Sequence, residues 1–180
     1  MIPWQTMPQV SDNPPIVLGL DLGATSAWCL GRRGERPDSG TMALPFDIDE
    51  PAGFSALYRN LAEITEGRRP RIVAVEQRQT SQVRRKGRQP TTNDKALKRL
   101  YGLHAIACMF AANCGARLQE SHVASIRKAC VPTVPIGDRG KPAIHAWAVR
   151  QGFCDASVIE DQTDAIAIWA HTVGWYGDRI

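Results

Sequence analysis

The chain has no long hydrophobic run and no paired cysteine motif. No apolar stretch reaches the roughly 20 residues that a membrane-spanning helix needs, and the start of the chain lacks the basic-then-apolar order of a signal peptide. The 5 cysteines are an odd set without a CxxC pair, which argues against a disulfide framework and against a zinc site. The sequence therefore predicts a cytoplasmic protein with reduced thiols and no membrane segment.

The composition is that of a folded protein, with 43% apolar and 22% charged residues in a chain of 180. This length can bury one sizeable core, and the formal net charge of +4 permits a polyanionic partner without requiring one. Residues 1–15 are rich in proline and poor in apolar neighbours, so we expect a flexible N-terminal arm. We expect a single domain over residues 16–180.

Apolar runs and helical periodicities alternate from residue 16 onward. Residues 16–20 and 71–75 read as buried strands, and residues 24–31 and 40–44 read as a second and third strand joined by a polar turn. A thinner apolar pattern predicts a fifth strand at 117–122. Helical spacing predicts helices at 52–64, 93–114, 141–152 and 161–175, while residues 121–135 carry no clear pattern. This order predicts an α/β fold.

Four carboxylates occupy rigid positions on these elements. Asp21 and Glu76 directly follow apolar strand runs, and Asp161 and Asp164 open a helix at a spacing that places both on one face. Singly, these acids have ordinary explanations: the helix pair complements the helix dipole, and Asp21 opens a turn at Gly23. Converging together, they would repel by several kcal/mol unless cations neutralised them. Carboxylate oxygens suit Mg²⁺ or Mn²⁺, and two such ions about 4 Å apart can hydrolyse a phosphodiester.

Three segments resemble the acidic motifs of the RuvC-type Holliday-junction resolvases, a family of the ribonuclease H-like superfamily. They are residues 18–23 (LGLDLG), 72–77 (IVAVEQ) and 161–167 (DQTDAIA), and the likeness extends from residue 16 to about 172. It implies an α/β fold with a five-stranded mixed sheet, three antiparallel strands and then parallel strands, flanked by helices. It also implies a homodimer that nicks four-way DNA junctions on two strands. The implied catalytic metal ligands, for two Mg²⁺ ions or substituting Mn²⁺, are Asp21, Glu76, Asp161 and Asp164.

Two further features follow from the same resemblance. Lys141 falls where the family carries a basic residue near the scissile phosphate, which implies a catalytic role. Family members often place an aromatic wedge for the junction core shortly after the second acid, whereas residues 77–80 (QRQT) contain none. A broader preference for branched DNA is therefore left open.

The strongest local concentration of positive charge follows Glu76. Such a run is usually only a solvated segment, but its place beside a phosphodiester-cleaving site favours contact with the DNA backbone. A second basic stretch lies at residues 127–128. The predicted DNA-binding residues are Arg78, Arg84, Arg85, Lys86, Arg88, Lys95, Arg127 and Lys128.

Rival functions are compatible with parts of this pattern. Residues 19–26 (GLDLGATS) would also serve as the phosphate loop of an actin-like or sugar-kinase-like phosphotransferase, although 180 residues supply only one of the two domains that such enzymes need. A non-catalytic DNA-binding module with this fold would be expected to lack one of the acids, and all four are present. A ribonuclease H acting on RNA–DNA hybrid and a flap-cutting nuclease share the same motifs.

Overall fold

The computed structural model describes residues 13–23, 25–47, 49–77, 94–132 and 140–176, which form five strands and five helices. The predicted arm at residues 1–15 lies mostly outside this part of the chain and stays a prediction. The strands are β1 (Val17–Asp21), β2 (Ser26–Gly31), β3 (Asp38–Met42), β4 (Ile72–Glu76) and β5 (Arg117–Ser121). The helices are α1 (Glu50–Ile64), α2 (Asp94–Cys114), α3 (Val123–Cys130), α4 (Lys141–Arg150) and α5 (Glu160–Tyr176).

The strands form one mixed sheet in the order β3-β2-β1-β4-β5. The first three strands are antiparallel neighbours, whereas β1 pairs with β4 and β4 pairs with β5 in parallel. This confirms the predicted mixed sheet. Two predicted strand bounds were wrong, because β2 begins at Ser26 and β3 runs from Asp38 to Met42. Helix α3 was not predicted at all.

Helices cover both faces of the sheet. The side chains of β1 alternate, so that Leu18 and Leu20 pack with residues of α1 and α2, whereas Val17 packs with residues of α3, α4 and α5. The central strands are therefore buried on both faces, as continuous apolar runs predict. At the carboxyl ends of these strands, polar side chains can lie outside the core and still be held rigidly by the buried residues that precede them.

Helix α5 lies unusually close to the middle of β1 because small residues line the sheet beneath it. Gly19 is flanked in register by Cys29 of β2 and Ala74 of β4. A Cβ atom at Gly19 would lie 2.8 Å from the backbone nitrogen of Trp169 and 2.9 Å from the carbonyl oxygen of Ala165. Glycine in a strand commonly marks such a close approach of another backbone. The position of α5 relative to β1 is thus fixed by backbone contact.

The five cysteines lie on β2, α2, α3 and the segment between α4 and α5. All five cysteines are free, and Cys29, Cys130 and Cys154 are buried. In the described ranges, no helix combines the length and apolar character required to cross a bilayer.

Candidate metal centre

Strands β1 and β4 bring two of the predicted acids to the same edge of the sheet. The strands are parallel, and Leu20 is in register with Val75, so the residues that follow, Asp21 and Glu76, end the two strands side by side. Successive side chains of a strand point to opposite faces of the sheet, and Leu20 and Val75 face α1 and α2. Asp21 and Glu76, the next residues, therefore lie on the opposite face, which α5 covers. Each carboxylate is mounted on a strand whose preceding residues are buried.

Helix α5 supplies the other two acids from its first turns. Asp161 and Asp164 are three residues apart and therefore share one face of the helix. Between them, the fully buried Thr163 turns its hydroxyl back to donate to the carbonyl oxygen of Glu160 at 2.7 Å. Because the backbone of α5 rests on Gly19, two residues before Asp21, the start of the helix is directed to the carboxyl end of β1.

Three of the four predicted ligands converge. One oxygen from each of Asp21, Asp161 and Asp164 lies within 4.8 Å of the other two, and in the described part of the chain this is the single group of at least three His, Cys, Asp or Glu side chains that could hold a metal ion. Glu76 is not a member of this group, but its charge acts on Asp21, and the charge of Asp164 acts on Glu76. An all-oxygen set of this kind fits Mg²⁺ or Mn²⁺.

Burial and mutual repulsion make ionisation of the clustered carboxyls unfavourable. Burial, followed by the charges of Asp164, Glu76 and Asp161, raises the pKa of Asp21 from 3.8 to about 7. Burial and the charge of Asp164 also raise the pKa of Glu76, and burial raises that of Asp164. The charge of a divalent cation among these oxygens would favour their ionised forms and offset both burial and repulsion, so the electrostatics of the site fit a bound metal.

Two basic side chains approach the acids from other helices. Lys141, the first residue of α4, places its Nζ 3.0 Å from Oδ1 of Asp161 and 3.5 Å from Oδ2 of Asp164. Burial lowers the pKa of Lys141, but its hydrogen bond to Asp161 and the charges of both aspartates raise the pKa above its usual value overall. Arg127 of α3 lowers the pKa values of Glu76 and Asp164. The acids are therefore bordered by positive charge on the α3–α4 side.

The predicted DNA-binding residues are only partly described. Lys95 is exposed in the first turn of α2, and Lys128 is exposed on α3 next to Arg127. The basic run after Glu76 lies outside the described residues, and its role stays a prediction. It comprises Arg78, Arg84, Arg85, Lys86 and Arg88.

Sequence reasoning missed two side chains that hold the site in place. Ser26 is fully buried, and its hydroxyl donates to the carbonyl oxygen of Gly23 at 3.2 Å while lying 3.4 Å from the backbone N–H of Gly23. It thereby closes the turn that follows Asp21. Gln162, between the two helix acids, donates to the hydroxyl of Ser39 on β3 at 2.9 Å. Neither residue carries a sequence signal, because isolated Ser and Gln are ordinary surface residues.

Comparison with known proteins shows the fold. Neither a family model nor a curated protein sequence matches the chain. Among solved structures, RuvC of Thermus thermophilus in complex with Holliday junction substrate matches with a TM-score of 0.68 at 14% identity, covering 91% of this chain and 95% of RuvC. A structure of Thermus thermophilus RuvC itself matches with a TM-score of 0.66 at 14% identity over the same shares. The yeast mitochondrial Holliday junction resolvase Ydc2 matches with a TM-score of 0.56 at 16% identity, covering 93% and 82%. The chain therefore has the ribonuclease H-like fold in the form that RuvC displays.

Proposed function

We propose that this protein is a metal-dependent endonuclease that resolves four-way DNA junctions. The observation that carries the proposal is the convergence of Asp21, Asp161 and Asp164 within 4.8 Å at the carboxyl end of the central strand. The fold supports the same function, because RuvC, with which the chain shares it over 91% of its length, was solved on a Holliday junction substrate. Two of the three acidic segments that resemble the family, residues 18–23 and 161–167, build this cluster, and the third supplies Glu76, whose charge acts on Asp21.

We assign metal binding to four carboxylates. Asp21, Asp161 and Asp164 supply the converging oxygens, and Glu76 at the end of the neighbouring strand completes the set. Two Mg²⁺ ions, or Mn²⁺ in their place, would activate a water and stabilise the leaving oxygen of the phosphodiester. The fold holds these four carboxylates rigidly, because each lies at the end of a strand or in the first turns of α5, which rests on the sheet.

Lys141 supplies a positive charge beside the proposed reaction site. Its ammonium group contacts Asp161 and Asp164, so a phosphate held at this acidic cluster would lie within its reach. A positive charge at that place stabilises the additional negative charge that develops on the phosphate during in-line attack. Arg127, which acts on Glu76 and Asp164, and the exposed Lys128 extend the positive border along α3 and bind the DNA backbone.

The basic run after Glu76 is expected to supply much of the affinity for DNA. Replacing Arg84, Arg85 and Arg88 with alanine should weaken junction binding and make its salt dependence less steep, because each lost phosphate contact reduces the slope of log K against log salt by about 0.9. Binding titrations at several salt concentrations measure this slope. As a matched control, alanine at the exposed Arg59, Arg68 and Arg150 removes the same charge and should leave the slope unchanged. Equal slopes for both triple variants would contradict the assignment.

Symmetric cleavage of a four-way junction requires two active sites. The described residues contain one group of converging carboxylates, so we propose that two copies assemble with twofold symmetry. Sedimentation should then give twice the chain mass of 19.8 kDa for the free protein, and the mass of two chains plus the DNA for its junction complex. A single copy per junction that still nicks both strands would contradict the homodimer.

A cleavage assay that compares several nucleic-acid substrates is the decisive test of function. We expect paired nicks in a four-way junction in the presence of Mg²⁺, none with chelator, and little cutting of linear duplex. A flap and an RNA–DNA hybrid should be cut more slowly than the junction. Equal cutting of the flap would fit the missing aromatic wedge at residues 77–80 and would broaden the substrate to branched DNA.

Matched variants link the cleavage to the acidic site. Glu76→Gln and Asp164→Asn should abolish cleavage while metal-free junction binding is retained, whereas Asp155→Asn changes an exposed carboxylate and should cleave normally. Mg²⁺-dependent cutting by both site variants would refute the metal assignment. Preferential cutting of the hybrid would point to a ribonuclease H, and ATP-dependent phosphoryl transfer without DNA cleavage to the phosphotransferase reading.

A further inference from the structure

A second group of reactive side chains lies on the opposite face of the sheet from the metal centre. It joins Cys108 and His104, one turn apart on α2, with Glu120 of the edge strand β5. The sulfur of Cys108 lies 3.5 Å from Nδ1 of His104, and Nε2 of the same ring lies 2.5 Å from Oε1 of Glu120. A thiol, an imidazole and a carboxylate therefore stand in sequence.

The carboxylate of Glu120 favours the tautomer of His104 in which the nitrogen next to the sulfur is unprotonated. The negative charge of Glu120 beside Nε2 favours the tautomer that carries its proton there, which leaves the lone pair of Nδ1 directed to the thiol. The contact with Glu120 does not have the linear geometry of a hydrogen bond, so it acts through charge. This is the arrangement by which a neighbouring base activates a nucleophile while a third group orients that base.

The remaining thiols have no comparable setting. Cys29, Cys130 and Cys154 are buried, and burial raises the pKa of each, which keeps these thiols protonated and inert. Cys114 is half-buried like Cys108 and stands on the same helix, six residues further along. It provides an internal reference for a thiol of similar exposure.

We propose that Cys108, His104 and Glu120 form a thiol-modification site at which Cys108 reacts with small alkylating electrophiles. With iodoacetamide as the probe, the sulfur attacks the methylene carbon and a sulfur–carbon bond forms. The carbon–iodine bond breaks, its electron pair leaves with iodide, and the thiol proton passes to Nδ1 of His104. Cys108 is only half-buried, so we expect small reagents to reach it, and the imidazole of His104 at 3.5 Å supplies the base.

This site is independent of the proposed nuclease chemistry. Glu120 is in register with Val75, whose side chain packs on the α1–α2 face, whereas the metal centre lies under α5 on the other face. Nothing in the thiol reaction requires metal or DNA, so its test stands or falls separately from the cleavage assays.

The test measures the alkylation rate of each thiol in the native protein by peptide mass spectrometry at pH 7. General-base assistance typically contributes about a hundredfold or more in evolved sites, and we expect Cys108 to react at least about tenfold faster than Cys114. His104→Gln keeps a polar side chain but removes the base, and should lower the Cys108 rate about tenfold without changing that of Cys114. In denaturant the five rates should converge, since their differences arise from the fold.

Two results would overturn the proposal. Cys108 reacting no faster than Cys114 in the native protein would do so, as would an unchanged Cys108 rate in His104→Gln. If His104→Gln does not fold, Glu120→Gln is the substitute, because the carboxylate side chain is 40% exposed and its replacement tolerates solvent. That variant should slow Cys108 alone, and an unchanged rate would again reject the site.

Discussion

Replacing Asp21 with asparagine should stabilise the metal-free protein at pH 8 while abolishing its response to Mg²⁺. The folded protein raises the pKa of Asp21 from 3.8 to about 7, so ionising this carboxyl opposes folding. The cost is absent below the unfolded value, grows as the pH rises between 3.8 and about 7, and is complete above about 7. One pKa unit corresponds to about 1.4 kcal/mol, so the full cost is a few kcal/mol. Asparagine has nearly the same shape and carries no charge.

Thermal unfolding in chelator and in Mg²⁺, at pH 5 and at pH 8, measures both halves of this prediction. In chelator, Asp21→Asn should exceed the wild type by a larger margin at pH 8 than at pH 5. Mg²⁺ should stabilise the wild type at pH 8 and have little effect on the variant, whose cleavage should fall by roughly a hundredfold or more. Asp155→Asn, an exposed carboxylate, should follow the wild type throughout. A variant less stable than wild type in chelator at pH 8 would contradict the electrostatic account.

The same unfavourable burial of charge made the strand-end acids recognisable in the sequence. A carboxylate directly after a buried apolar strand is unfavourable unless something compensates it, and Asp21 and Glu76 each end a short apolar run. Parallel strands then bring such residues to one edge, so their proximity could be inferred. The sequence could not show that Glu76 lies outside the group of three converging aspartates, because this depends on side-chain placement within a few ångströms.

The strand whose bounds were misplaced and the helix that was missed both have a weak apolar signal. Strand β3 consists of the residues DSGTM and lies at the sheet edge, where only its last residue, Met42, is buried. Helix α3 buries only Ile126 and Cys130, and its N-cap His122 makes no side-chain capping bond. β3 is placed by its pairing with β2 and by the hydrogen bond from Gln162 to Ser39, and α3 is placed by packing against α5. No local sequence pattern records these tertiary contacts. The contact of Lys141 with Asp161 and Asp164 likewise depends on how α4 docks on α5.

Gly19→Ala should destabilise the protein and disturb its acidic cluster, although it adds only one methyl group. The new Cβ would meet backbone atoms of Trp169 and Ala165 at 2.8 and 2.9 Å, and backbone cannot yield as a flexible side chain does. Helix α5 must therefore move away from β1. We expect a loss of about 1–3 kcal/mol in the free energy of unfolding. Because α5 carries Asp161 and Asp164, we also expect weaker stabilisation by Mg²⁺ and slower cleavage in the fraction that remains folded.

Gly174→Ala provides the opposite expectation on the same helix. Among the described residues, and apart from the neighbouring backbone of α5 itself, no atom lies within 4 Å of a Cβ built at Gly174. Alanine is favoured over glycine in a helix by about 1 kcal/mol, so this variant should be at least as stable as the wild type and cleave normally. Chemical denaturation with and without Mg²⁺ compares the two variants. Equal stability of Gly19→Ala and wild type would mean that α5 does not rest on the backbone of β1. The alignment of Asp161 and Asp164 with Asp21 would then need a different cause, because the close approach at Gly19 is what directs the start of α5 to the end of the strand.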